Sequence, residues 1–195
     1  GRVTYIYKNR YFSEFNIGIN GSENFPKNSR FGIFPALSLA WLVSDEPFMD
    51  VTEEFLTHLK LRMSYGEVGN DRDIRRFLYL PTTYSSYPAA YQFYFGEPTT
   101  NYGSILPIQE GVAPNYNVTW ERTRKFNTGV DLSLIDKISI GFDVFAEKRS
   151  DILTTMQTIP SFQFLQIQSD SRFVTPNLLS PQNYAKTETH GFELE

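Results

Sequence analysis

Residues 120–149 read WERTRKFNTGVDLSLIDKISIGFDVFAEKR, and this stretch decides the fold. Phe126, Thr128, Val130, Leu132 and Leu134 share one face of a two-residue period, with Asn127, Gly129, Asp131 and Ser133 on the other. After Ile135, Asp136 and Lys137 the pattern resumes. Ile138, Ile140, Phe142, Val144 and Ala146 lie opposite Ser139, Gly141, Asp143, Phe145 and Glu147. Such alternation marks a strand with one apolar face, and so short a gap leaves room for a tight turn. The spacing predicts one long antiparallel hairpin. Strands of soluble domains usually run about 5–6 residues, whereas a strand tilted across a bilayer needs roughly 9–11. The long arms favour a membrane barrel; alternation alone also fits a soluble sandwich.

Working outward, the pattern predicts strands over 3–7, 12–20, 33–43, 59–66 and 184–195, with a polar turn at 8–10 and a loop at 21–29. Residues 44–58 break the alternation. Ser44 or Asp45 there looks like the N-cap of a short helix running through Phe55 and Leu56. Residues 69–117 carry Pro81, Pro88, Pro98, Pro107 and Pro114 and read mainly as a long surface loop, with short strands at 76–79 and 91–95. Residues 150–183 form a second long connection. The connections are thus short at one end and long at the other, the layout of bacterial outer-membrane barrels, with short periplasmic turns and long extracellular loops. The fold class expected is all-β, an antiparallel transmembrane β-barrel segment built of long hairpins. Counting from the central hairpin puts 21–29 outside and 44–58 on the periplasmic side.

Magnitude sets the facing. A basic residue on the lipid face at mid-membrane costs about 2–4 kcal/mol, and Asp or Glu less. A one-residue slip would turn a whole polar set outward. Glu14, Lys60, Arg62, Asp131 and Asp143 are therefore expected toward a wet lumen, and Trp41, Leu132 and Phe142 toward lipid.

Composition agrees. The chain has 195 residues, 16% of them aromatic, including 17 Phe and 12 Tyr, which suits interfacial girdles. Its longest mostly apolar run, 33–43, is too short for a spanning helix. The net charge of −4 and the lack of a basic stripe argue against nucleic acid. Without cysteine, disulfides and thiol chemistry are excluded. The chain starts and stops beside strand-like runs and reads as an internal fragment of a longer protein.

Four strings together resemble one family. They are SRFGIFPALSLAWLVSDEPFM (29–49), LKLRMSYGEVGN (59–70), NVTWERTRKFNTGVDLSL (117–134) and HGFELE (190–195). They are similar, in this order, to motifs of the SusC/RagA-type TonB-linked outer-membrane transporters of Bacteroidetes. Ala40, His190 and Asp136-Lys137 depart mildly from the family pattern. The resemblance implies a plugged barrel of roughly 22 strands, of which 1–195 is a late section of the barrel domain without the plug. It also implies import of glycans or peptides across the outer membrane, with a SusD-like surface lipoprotein and the TonB complex as partners. TonB would be reached through the absent N-terminal part.

The candidate binding residues are the tyrosines of the first long loop, Tyr84, Tyr87, Tyr91, Tyr94 and Tyr102. Stacking aromatics suit sugar rings and peptide side chains; the bland reading is that they pack the loop on its neighbours. Asp71, Arg72 and Asp73 fit a solvated turn better than a cation site. Glu121, Arg122 and Arg124 read as a wall charge cluster. His58 and His190 lack spaced partners for a metal. No catalytic residue, cofactor or metal site is assigned. The rival readings are a soluble, Tyr-rich β-sandwich that binds carbohydrate and a glycan hydrolase using Asp131 and Asp143.

Overall fold

Seven long strands form one antiparallel sheet in a computed structural model that describes residues 1–52, 54–72, 76–81, 84–86, 93–95, 103–105, 108–135, 137–155 and 180–195. The strands are β1 (Arg2–Tyr7), β2 (Tyr11–Gly21), β3 (Phe31–Leu42), β4 (Leu56–Asn70), β9 (Glu121–Leu134), β10 (Ile138–Thr154) and β11 (Gln182–Leu194). Four short ones lie between β4 and β9: β5 (Tyr84–Ser86), β6 (Phe93–Phe95), β7 (Gly103–Ile105) and β8 (Ile108–Glu110). The sheet order is β1-β2-β3-β4-β9-β10-β11, so each long strand lies beside its neighbour in sequence.

The central hairpin has the predicted register, with Phe126 opposite Ala146, Val130 opposite Phe142 and Leu134 opposite Ile138. The register carries across the sheet. One row runs Tyr7, Tyr11, Trp41, Leu61, Val130, Phe142, Leu194. The adjacent row, on the opposite face, runs Ile6, Phe12, Ala40, Arg62, Gly129, Asp143, Glu193. One face is therefore apolar and the other is polar on its middle strands. Leu37, Leu39, Met63, Phe126, Phe142 and Val144 of the apolar face are exposed. A sandwich would cover such a face with a second sheet; among the described residues nothing lies over it. The buried apolar cluster is small (Phe25, Phe34, Val118 and Trp120) and sits at the end with the long connections. Burying a face in lipid instead of protein accounts for both facts.

Both tight turns sit at the other end. Lys8 and Asn9 take φ of 51° and 53°, and the Arg10 N–H donates to Tyr7 O at 3.1 Å, the positive-φ geometry that matches strand twist. At the second turn Lys137 N–H donates to Leu134 O at 3.0 Å, and Ile135, at φ 52°, donates to Phe55 O at 3.0 Å.

Several expectations are corrected. Residues 44–58 hold two 3-10 segments, Val43–Asp45 and Pro47–Thr52, and Leu56 already begins β4. Neither Ser44 nor Asp45 is an N-cap: the first segment starts after Leu42 without a side-chain cap. Pro47 lacks the N–H that would carry the first turn onward. Residues 76–79 are turn, with Phe77 at φ 59°, rather than strand. Residues 69–117 contain two nested strand pairs, β5 with β8 and β6 with β7. β10 runs past 150 to Thr154 and β11 starts at Gln182, with a bulge between Arg149 and Ile152 where Asp151 takes φ 58°.

The 3-10 connection is pinned to the sheet by Glu46, which is buried at 8% exposure. Its carboxylate accepts from Trp41 Nε1 at 3.1 Å and pairs with Arg10 at 3.3 Å. Tyr11 stacks on Trp41 with ring centroids 6.0 Å apart, and Tyr7 lies 6.1 Å beyond. This is an aromatic girdle with its polar handles turned to the turn end. The Tyr11 hydroxyl first, then Trp41 and Arg10, hold the Glu46 carboxyl below its ordinary value against the opposing effect of burial. A depressed carboxyl stabilises the fold above its unfolded-state pKa and loses that contribution as pH falls through the folded value. Glu46→Gln in the full-length barrel is thus expected to flatten the fall of Tm with acidification below about pH 4.5; an unchanged acid limb would remove Glu46 from this role. The outermost strands β1 and β11 each have one neighbour. Open edges cannot persist in lipid and invite aggregation in water. Residues 1–195 expressed alone are expected to aggregate; a sharp, reversible thermal transition in aqueous buffer would refute this.

Candidate functional site

The polar face is the candidate site. It encloses a groove of about 460 Å³ lined by Glu14, Ser38, Lys60, Arg62, Ser64 and Asn127, among others. Their common face follows from even spacing on β4 (Lys60, Arg62, Ser64) and from register with Ser38 and Asn127. All five residues expected toward a lumen lie on this face, and Trp41, Leu132 and Phe142 lie on the other.

Arg62 is the centre of the site. Its Nη2 donates to Asp131 Oδ1 at 2.9 Å and to Asp143 Oδ2 at 2.7 Å, and its Nε donates to Asp131 Oδ1 at 3.2 Å. One guanidinium from β4 thus ties carboxylates on β9 and β10. Gly129 makes this possible. It stands between Arg62 and Asp143 in the ladder, and a Cβ there would overlap Asp143 Oδ1. The second Asp143 oxygen is buried without a hydrogen-bond partner among the described residues. Both carboxylates are engaged as acceptors on one cation, which leaves neither as the free acid of a hydrolytic pair. At the β1 side Arg2 pairs with Glu14, which also accepts from Asn16 Nδ2 at 2.7 Å. The wall therefore offers alternating donors and acceptors to whatever passes it.

The long-connection end is organised separately. The Phe25 and Phe34 rings pack on Trp120 with centroids at 5.0 and 5.4 Å. The Phe34 ring lies over Gly32 and Gly69, where any Cβ would overlap it. Asn183 clamps two connections, donating to Asp151 O at 2.7 Å and Thr119 O at 3.0 Å.

The predicted wall cluster is paired differently from the expectation. Arg122 and Arg124 both reach Glu67, at 3.2 and 3.0 Å, while Glu121 accepts from Asn70. Glu67 was missed because its partners are distant in sequence; the β4–β9 register, Glu67 opposite Arg124, supplies the signal. Asn70 Oδ1 accepts from Arg72 N–H at 3.2 Å and Asp71 O accepts from Asn24, as in a solvated turn; Asp73 lies outside the described residues. His58 and His190 sit on separate strands, and no three metal-ligating side chains converge among the described residues. Of the candidate tyrosines, Tyr84 is on β5 and Tyr94 on β6. Tyr87, Tyr91 and Tyr102 lie outside the described residues.

Comparisons with known proteins agree with this architecture. A family model described as TonB dependent receptor-like, beta-barrel matches residues 4–195. The chain is 34% identical over 191 residues to the TonB-dependent receptor SusC of Bacteroides thetaiotaomicron, covering 94% of this chain and 17% of that protein. It is 28% identical over 194 residues to TonB-dependent receptor P3 of Formosa agariphila, covering 99% of this chain and 17% of that protein. The structure of the RagAB peptide importer in the 'closed-closed' state superposes with a TM-score of 0.72 at 18% identity, over 99% of this chain and 18% of that chain. At that identity the likeness concerns the fold. The chain spans less than a fifth of the length of each.

Gly129→Ala in the full-length barrel is expected to cost about 1–3 kcal/mol, the usual range for overpacking, by displacing Asp143 from Arg62. Denaturant unfolding in detergent would measure it, and an unchanged midpoint would show that the inner-wall ion cluster tolerates a side chain there.

Proposed function

Because the chain belongs to the TonB dependent receptor-like β-barrel family, and so forms part of an outer-membrane barrel wall, we propose that it serves an importer of oligosaccharides or peptides that works by binding and gated passage. No bond is made or broken in this reading. The observation that carries it is the pairing of a polar, grooved inner face with an apolar outer face on the same strands. The hydroxyls, amide and ion pairs of the inner face suit hydrated cargo. The fold shared with the RagAB peptide importer supports peptide-sized cargo, and the likeness to SusC supports the same transporter class.

In this reading residues 1–195 are one section of the barrel domain, and a plug carried elsewhere in the protein fills the lumen. Energy comes from the TonB complex, which would act on that plug. A SusD-like surface lipoprotein closes the barrel from outside, over the end that carries 69–117 and 150–183. The tyrosines of the first long loop, Tyr84, Tyr87, Tyr91, Tyr94 and Tyr102, are the proposed cargo contacts, stacking on sugar rings or on peptide side chains.

Fractionation of cells making the full-length protein tests the assembly. Outer-membrane recovery in detergent, with a surface lipoprotein and small oligosaccharides or peptides co-purifying, is expected; recovery as a free soluble protein would overturn it. Replacing Tyr84 or Tyr94 by Ala is expected to weaken cargo binding about 2- to 10-fold each, the range for one aromatic stacking contact. Unchanged affinity in both variants would move the cargo site off this loop.

A further inference from the structure

On the outward face the last apolar row toward the extracellular end is Tyr65, Phe126 and Ala146. The next row on that face is Glu67, Arg124, Lys148 and Glu188. Leu134 and Arg124 are ten positions apart on β9. At about 3.3 Å per residue and a tilt of about 35–45°, that is about 25 Å of height, the height of an outer-membrane barrel's apolar band. The charged row therefore meets the outer leaflet at headgroup level.

Its charges do not cancel. Arg122 and Arg124 share the single carboxylate of Glu67, and Lys148 pairs with Glu188. Arg124 and Lys148 are direct cross-strand partners, a placement of like charges that destabilises a sheet unless an anion lies between them. Arg124 spends its Nε on Glu67, and the rest of its donor fork stays free. The side chains remain 49% and 51% exposed.

We propose that Arg124 and Lys148 together hold a phosphate group on the headgroup of an outer-leaflet glycolipid. The phosphate oxygens bridge the two cations, with the guanidinium offering paired N–H donors and the ammonium a point charge. The acyl chains of the same lipid lie along Phe126, Val144 and the apolar rows beneath. Those rows select a lipid over free phosphate, which has nothing to place there.

Native mass spectrometry of the full-length protein in mild detergent tests this. The probes are bis-phosphorylated lipid A, its dephosphorylated form, and inorganic phosphate as competitor. The phosphorylated lipid is expected to bind, with an Arg124→Gln/Lys148→Gln double variant retaining about 10-fold less, the loss of one charge-assisted contact. Glu67→Gln, which frees both guanidinia, is expected to bind more. Added salt should release lipid A from the native protein, an arm that needs no variant. Equal retention by a folded double variant, or equal binding of the dephosphorylated lipid, would overturn the proposal. Displacement by inorganic phosphate at equal concentration would overturn its lipid part.

Discussion

Everything in this sheet depends on strand register. Each hydrogen-bonded rung fixes which face a residue takes, and a slip of one position exchanges the faces along a whole strand. In this chain such a slip on β4 would move Lys60 and Arg62 into lipid, at about 2–4 kcal/mol each near mid-membrane, and would strand Asp131 and Asp143 without a cation. The apolar rows on one side and the Arg62 ion cluster on the other therefore enforce the same alignment. Gly129 belongs to that constraint, since the guanidinium can bridge two strands because the residue between them has no side chain.

The central hairpin was legible because its information is local. Period-two alternation through 126–134 and 138–146 gives strand, facing and turn at once, and the ladder reproduces it. Strand ends were less legible. Gly69, Asn70 and residues 150–154 are too polar or irregular to read as strand, and neighbouring strands supply their hydrogen bonds. The helix expected near Ser44 failed because a capping pattern cannot weigh Pro47 against the short span that the chain must cross. Ion pairs between strands were the hardest to foresee. Glu121 stands next to Arg122 in sequence, but neighbours on a strand point to opposite faces, so Glu67 on the next strand takes the arginines. The tyrosines drew notice by composition, which places Tyr84 and Tyr94 no more closely than their short strands do.

The two ends of the wall differ in kind. At the turn end Tyr7, Tyr11 and Trp41 are anchored by the buried Glu46, so the rim is stiffened by a side-chain network that follows the sheet. At the other end the aromatic cluster of Phe25, Phe34 and Trp120 gathers segments from separate connections, and Asn183 ties two more. Rigid turns beneath and clustered connections above concentrate sequence freedom where cargo would first meet the barrel.

One seam in the sheet is shorter than the others. β3 pairs with β4 only from Ala36 to Leu42, ending next to Pro35, which has no N–H to donate, whereas β4 pairs with β9 from Leu56 to Asn70. The wall is therefore two panels, β1–β3 and β4–β11, hinged along a short hydrogen-bonded strip. Panels joined this way open and close as separate cooperative units, so the chain can assemble its two halves independently and join them last. Amide protons above Ala36 then exchange with solvent long before those of the central hairpin do.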